Sequence, residues 1–94
     1  MFEIKIGEEG EIMISGRFDA SQVDRARGIL NDLKDSTVVD FKDLTYISSG
    51  GLNLLLGTER RLREAGHRLR LRNMNSHIKE LFMFTGLDMV FEIG

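Results

Sequence analysis

Two serines followed by two glycines, Ser48-Ser49-Gly50-Gly51, stand directly before an apolar run that begins at Leu52, and of all residues in the chain they are best placed to do chemistry. A serine in that position serves first as a helix cap, its oxygen accepting from a backbone N–H that the helix leaves unpaired. The same place also suits a switch. Free N–H groups and the positive end of the helix dipole favour an anion there. A phosphoserine would add roughly −1.5 to −2 charges and three strong acceptor oxygens. Gly50 and Gly51 carry no side chains, so another molecule could approach this backbone closely.

Other chemistry-bearing residues read differently. Asp19 follows an apolar stretch and fits a helix cap. Arg60, Arg61, Arg63, Arg68, Arg70 and Arg72 crowd one segment, which raises an anion or nucleotide site. Alternation instead puts Arg68, Arg70 and Arg72 on an open sheet face, within reach of Glu3 and Glu11, and leaves the other three on the wet side of a helix. His67 and His77 fall on different elements, with no spacing that suggests a metal pair. The chain has no cysteine, so thiolate metal sites, disulfides and cysteine nucleophiles are excluded. No Gly-x-Ser-x-Gly elbow supports a hydrolase. With 13 Lys and Arg against 15 Asp and Glu, the net charge of −2 argues against coating nucleic acid. The reading is of a domain that is not an enzyme, needs no cofactor and binds no metal.

These residues must be held by a small scaffold. At 94 residues, with 41% hydrophobic and 30% charged, the sequence predicts one domain over 1–94. Phe2, Ile4 and Ile6 alternate with Glu3 and Lys5, and a glycine-flanked turn at 7–10 leads to a second strand over Glu11–Ser15. Gly16-Arg17-Phe18-Asp19 breaks that pattern; Asp19 or Ser21 then caps a helix carrying Val23, Ala26, Leu30 and Leu33. Thr37–Phe41 predicts a central strand and Asp43–Ile47 a loop. Leu52, Leu55, Leu56 and Leu62 form the stripe of a second helix, closed at Ala65-Gly66. Arg68–Arg72 alternates as a strand, Asn75 or Ser76 caps a third helix ending at Gly86, and Leu87–Ile93 supplies the last strand. The order β-β-α-β-α-β-α-β predicts a two-layer α/β fold: a mixed sheet of four to five strands with three helices on one face. Phe18 reads as core and Tyr46 as half-buried support for the serine loop. At least one of Met83 and Phe84 falls outside the third helix's inward stripe, and it either packs tightly against the final strand or leaves an apolar patch of the kind that marks an interaction surface. The start shows no signal peptide, and no stretch approaches the roughly 20 apolar residues of a membrane span.

Asp40-Phe41-Lys42-Asp43-Leu44-Thr45-Tyr46-Ile47-Ser48-Ser49-Gly50-Gly51-Leu52 resembles the signature of STAS domains, the sulfate-transporter and anti-sigma-factor-antagonist family. That signature runs strand, short apolar loop, then Asp-Ser-Ser-Gly-Leu opening a helix. Gly16-Arg17-Phe18-Asp19 is similar to the family's Gly-x-Leu-Asp step, and Leu81–Leu87 to its closing helix and Ser/Thr-Gly-Leu cap. Ser48 stands where the family has Asp, and Gly50 where it has the second Ser. The resemblance implies a cytoplasmic antagonist that binds an anti-sigma factor acting also as a serine kinase. Phosphorylation at Ser49, with Ser48 as second choice, would break the complex, and a serine phosphatase would reset it. The implied partner surface comprises Asp19, Tyr46, Ser48, Ser49, Gly50, Gly51, Asn53 and Met83. Direct nucleic-acid binding and membrane insertion are not implied, and a homodimer stays open. The alternative is a non-phosphorylated STAS scaffold bound to an ATPase, a transport complex or a larger signalling assembly.

Overall fold

The alternation at the start builds β1 (Phe2–Ile6), antiparallel to β2 (Ile12–Phe18) with Ile4 opposite Ile14. The computed structural model describes every residue from 1 to 94. β2 does not stop at Ser15 as the pattern suggested. It continues through Gly16, which adopts φ +80° at a shift of register, and on to the buried Phe18. A Cβ on Gly16 would lie 1.8 Å from the Met1 carbonyl oxygen, so glycine alone lets the strand carry on.

At this bulge β2 changes neighbour. Ile12 and Met13 pair with β3 (Thr37–Asp40), whereas Gly16–Phe18 pair with β4 (Leu44–Ile47), both parallel. The expected loop at 43–47 is therefore a strand. Leu44 and Ile47 are buried with exposed Thr45 and Tyr46 between them, a spacing without the two-residue period. β5 (Leu69–Arg72) runs parallel to β3 with Leu71 opposite Val39, and β6 (Glu92–Ile93) runs parallel to β5. The mixed sheet has the order β1-β2-β3-β5-β6 with β4 beside β2, six strands in all. The last strand is shorter than Leu87–Ile93. Gly86, at φ +75°, turns the chain into a 3-10 turn over Leu87–Met89, and Phe91 is then buried 5.7 Å from the ring of Phe82.

The helices form the second layer. Asp19 caps a 3-10 turn over Ala20–Gln22 that runs into α1 (Val23–Leu30). α1 ends before Leu33, where Arg61 of α2 (Ser49–Glu64) donates to the Leu30 and Leu33 carbonyls at 2.9 and 2.8 Å. α3 (Ser76–Phe84) is capped by Asn75, whose Oδ1 accepts from the Ile78 N–H at 2.9 Å. Ala26 and Leu30, Leu52, Leu55 and Leu62, and Ile78 and Phe82 join the inward strand residues in one core of 19 residues. Each of the larger side chains among them contributes about 1.5–3 kcal/mol by leaving water. The α/β two-layer reading is the fold observed.

The open sheet face holds Lys5, Asp40, Arg70 and Arg72, but not in the expected pairs. Glu3 meets Lys5 at 3.4 Å, and Glu11 accepts from the Glu9 N–H at 3.0 Å. Arg72 pairs with Asp40 at 3.3 Å and Arg70 with Glu92 at 3.9 Å. The strand order explains this: β3 separates β5 from β2, so Glu3 and Glu11 lie too far from the arginines. Burial alone would raise the Asp40 carboxyl, but the Lys42 N–H, the Asn73 amide and Arg72 outweigh it and hold it below its ordinary 3.8. A lowered folded value means stability that is present above pH 3.8 and lost as acid protonates the group. Asp40→Asn is therefore expected to flatten the acid limb of a stability-versus-pH curve below about pH 4, read by urea unfolding.

Candidate functional site

The serine pair divides its work. Ser48 takes extended backbone (φ −82°, ψ 167°) and is the N-cap of α2, its Oγ accepting from the Gly51 N–H at 3.2 Å. Its own N–H donates to the Phe18 carbonyl at 2.8 Å and its carbonyl accepts from Leu52 at 3.0 Å. The half-buried Ser48 is thereby fixed between the end of β2 and the first turn of the helix, a cap contributing about 1 kcal/mol. Ser49 is the first residue of α2 and is exposed, with its hydroxyl outside the network of hydrogen bonds within the chain.

The glycines serve packing more than access. A Cβ on Gly51 would sit 2.9 Å from Ile47 Cγ1 and 3.2 Å from the Phe18 ring, so this buried residue lets α2 settle directly on β2 and β4. Its expected place on the partner surface is corrected accordingly: it faces the core. Gly50 is half-buried with Val23 3.2 Å from its would-be Cβ, which brings the start of α2 close to α1.

Asp19 directly follows Phe18, the residue bonded to Ser48. Its Oδ1 accepts from the Ser21 hydroxyl at 2.5 Å and the Ser21 N–H at 3.0 Å. The Ser21 hydroxyl bond, chiefly, holds the Asp19 carboxyl below its ordinary range, so a fixed negative charge stands beside the helix start. Tyr46 lies on β4 rather than in a loop; it is 37% exposed, and the Arg17 guanidinium rests 4.2 Å from its ring centre. Asn53 is exposed one turn beyond Ser49 and lines a groove of about 540 Å³ between α1 and α2, together with Val23, Arg27 and Gly57. The structure thus gathers Asp19, Tyr46, Ser48, Ser49, Gly50 and Asn53 around the end of β2, the end of β4 and the start of α2. Met83 is separate: 59% exposed on α3, it lines a different shallow recess with Glu80 and Phe84.

The arginine segment is taken up elsewhere. Arg68 was expected on the open sheet face, but it turns to the helix side and meets Glu59 of α2 at 3.3 Å. Arg63 reaches the same carboxylate at 2.7 Å, and both arginines donate to the Val90 carbonyl. Glu59 is fully buried, and its second oxygen accepts from the Leu69 N–H at 2.9 Å. With Arg61 on the end of α1, the segment ties helices to strands; Arg60 and Arg63 both stay exposed, but Arg63 reaches back to Glu59. Glu59 escaped the sequence reading, although it falls seven residues after Leu52 and three before Leu62, on the buried stripe. His67 lies 3.5 Å from Asp35, and His77 is exposed on α3.

Comparison with known proteins fits this arrangement. Residues 4–92 match the family described as "Mlab, STAS domain". The anti-sigma-B factor antagonist of Bacillus subtilis (strain 168) is 28% identical over 87 residues, spanning 89% of this chain and 80% of that protein. The anti-sigma-B factor antagonist of Listeria monocytogenes is likewise 28% identical over 87 residues, spanning 88% and 76%. Among solved structures, the Bacillus cell fate determinant SpoIIAA in its phosphorylated form superposes with a TM-score of 0.71 at 22% identity, over 100% of this chain and 91% of that one. The anti-sigma factor antagonist SpoIIAA in its unphosphorylated form gives 0.72 at 20%, over 100% and 87%. At those identities the structures establish the shared fold. A family match that runs nearly the whole length of the chain, on this sheet and these helices, means that the chain belongs to the STAS domain family and is similar to its anti-sigma factor antagonists.

Proposed function

We propose that this domain is a partner-switching regulator that binds a kinase-type anti-sigma factor and releases it when Ser49 is phosphorylated. The observation that carries this reading is the division at the helix start: Ser48 is spent as the cap, and Ser49 offers an exposed hydroxyl at the electropositive end of α2. Its relatives support it, since they are named anti-sigma-B factor antagonists and SpoIIAA has been solved with and without phosphate. The domain acts as substrate rather than enzyme. The kinase moves the γ-phosphoryl of ATP to Ser49 Oγ, the hydroxyl proton goes to the kinase's base, and ADP leaves. A serine phosphatase then hydrolyses the ester. ATP and a sigma factor place this cycle in the cytoplasm, and neither nucleic acid nor membrane takes part in it directly.

The unmodified surface around Asp19, Tyr46, Ser49 and Asn53 docks the anti-sigma factor. A phosphate at its centre brings a bulky hydrated charge that the α2 terminus tolerates and a docked partner does not. A second reading, a STAS scaffold held on an ATPase or transport complex without phosphorylation, is favoured by one feature: Ser48 replaces the acidic residue that precedes the acceptor in the family signature. The discriminating experiment incubates the protein with a candidate anti-sigma kinase and ATP, then locates the phosphate by mass spectrometry. Phosphate on Ser49 is expected. Its absence from both serines returns the scaffold reading, and its presence on Ser48 alone refutes the division of labour.

A further inference from the structure

We propose that β1 is a dimerisation edge, through which two copies of this chain pair antiparallel about a two-fold axis at Ile4 and join their sheets. β1 ends the sheet and has β2 as its one neighbour. The phase of its hydrogen bonds follows from the two that flank it: Arg17 N–H donates to the Met1 carbonyl and Gly7 N–H to the Glu11 carbonyl, each at 2.8 Å. In an antiparallel pair such bonded positions alternate, so Glu3 and Lys5 also bond to β2. The N–H and C=O groups of Phe2, Ile4 and Ile6 therefore point outward, away from the sheet.

An isologous contact demands a surface complementary to itself, and Phe2-Glu3-Ile4-Lys5-Ile6 is one. About Ile4, each Glu3 lies opposite the partner subunit's Lys5, and each Phe2 opposite the partner subunit's Ile6. The outward groups fall on Phe2, Ile4 and Ile6, so those are the pairs that exchange hydrogen bonds. Glu3 and the partner subunit's Lys5 then take a non-hydrogen-bonded position, where facing side chains come closest. Phase and charge agree on the same axis. Glu3 and Lys5 are exposed on the open face, where they now meet each other. Ile6 continues the buried row of Phe2 and Ile4 yet is 64% exposed, and the partner subunit's Phe2 would cover it.

Edges that stay single are usually blunted by proline, a bulge, an inward charge or brevity. β1 has five residues and none of these devices, and its lysine is balanced by a glutamate; the opposite edge, β6, has two residues.

The test is sedimentation from micromolar to near-millimolar protein, with amide exchange at both extremes. Reversible dimerisation is expected, with Phe2, Ile4 and Ile6 amides protected only at high concentration. Glu3→Lys and Lys5→Glu each set like charges face to face and should weaken the dimer by about tenfold. An equimolar mixture of the two variants should regain it as a heterodimer, because each strand then meets the opposite sign. Rearrangement of the pair within one chain cannot produce that rescue. A wild-type chain that stays monomeric, a dimer that leaves those amides unprotected, single variants as dimeric as wild type, or a mixture without heterodimer would each overturn the proposal. An edge that captures a foreign strand in place of a second copy appears as the first of these.

Discussion

Glu59→Ala should lower the melting temperature by about 10–25 °C, corresponding to about 2–4 kcal/mol in a domain of this size. The carboxylate is fully buried, yet everything around it is arranged for its charge: Arg63 at 2.7 Å, Arg68 at 3.3 Å and the Leu69 N–H at 2.9 Å. Alanine leaves the buried Leu69 donor without an acceptor and opens a cavity between α2 and β5. The arginines are half-exposed and can turn to water, which keeps the loss below that of a sealed ion pair. Glu59→Gln keeps an oxygen for Leu69 and gives up the charge, so roughly half the loss is expected. Thermal unfolding of the three proteins measures this directly. A change below about 1 kcal/mol in Glu59→Ala would mean that the cluster is incidental.

The second large effect is on binding. Ser49→Asp should weaken a kinase-type anti-sigma factor by about 100-fold or more, equivalent to about 2.8 kcal/mol, whereas Ser49→Ala stays close to wild type. A carboxylate at the first helical position is favoured by the α2 dipole by about 0.3–1 kcal/mol, so the fold does not suffer. The cost arises in the complex, where a charge is stripped of water without a partner arranged to receive it. Pull-down or calorimetric titration, with melting curves on the same samples, separates lost binding from lost folding.

Much of this protein can be read from its residues, because the periodic parts are decided locally. Leu69 and Leu71 alternating with arginines, the leucine row from 52 to 62 and the glycine at 66 fix strand, helix and helix end before any contact is known. Residues 43–47 resist such a reading. β4 has four residues with two exposed in the middle, and it is a strand because Gly16–Phe18 lie alongside it, a partnership set more than two dozen positions away. The site shows the same division. The serine pair stands out in the sequence, but which hydroxyl caps and which is free depends on where the helix begins, and the bond from Ser48 to Phe18 decides that. The glycines read as openings when their spacing is all that is known; Gly51 faces Phe18 and Ile47, a contact created by the sheet beneath it. Glu59 could have been found from its place on the leucine stripe. Its partners at 68 and 69 stand just before and at the start of the strand that α2 covers, and they emerge when the layers meet.

The measurement closest to the heart of the matter titrates one anti-sigma kinase with two forms of the chain, unmodified and carrying a phosphate on Ser49 alone. Binding by the unmodified form and a loss of about 100-fold or more by the phosphorylated form, with both melting at the same temperature, is the predicted result. Equal affinity of the two forms would contradict it.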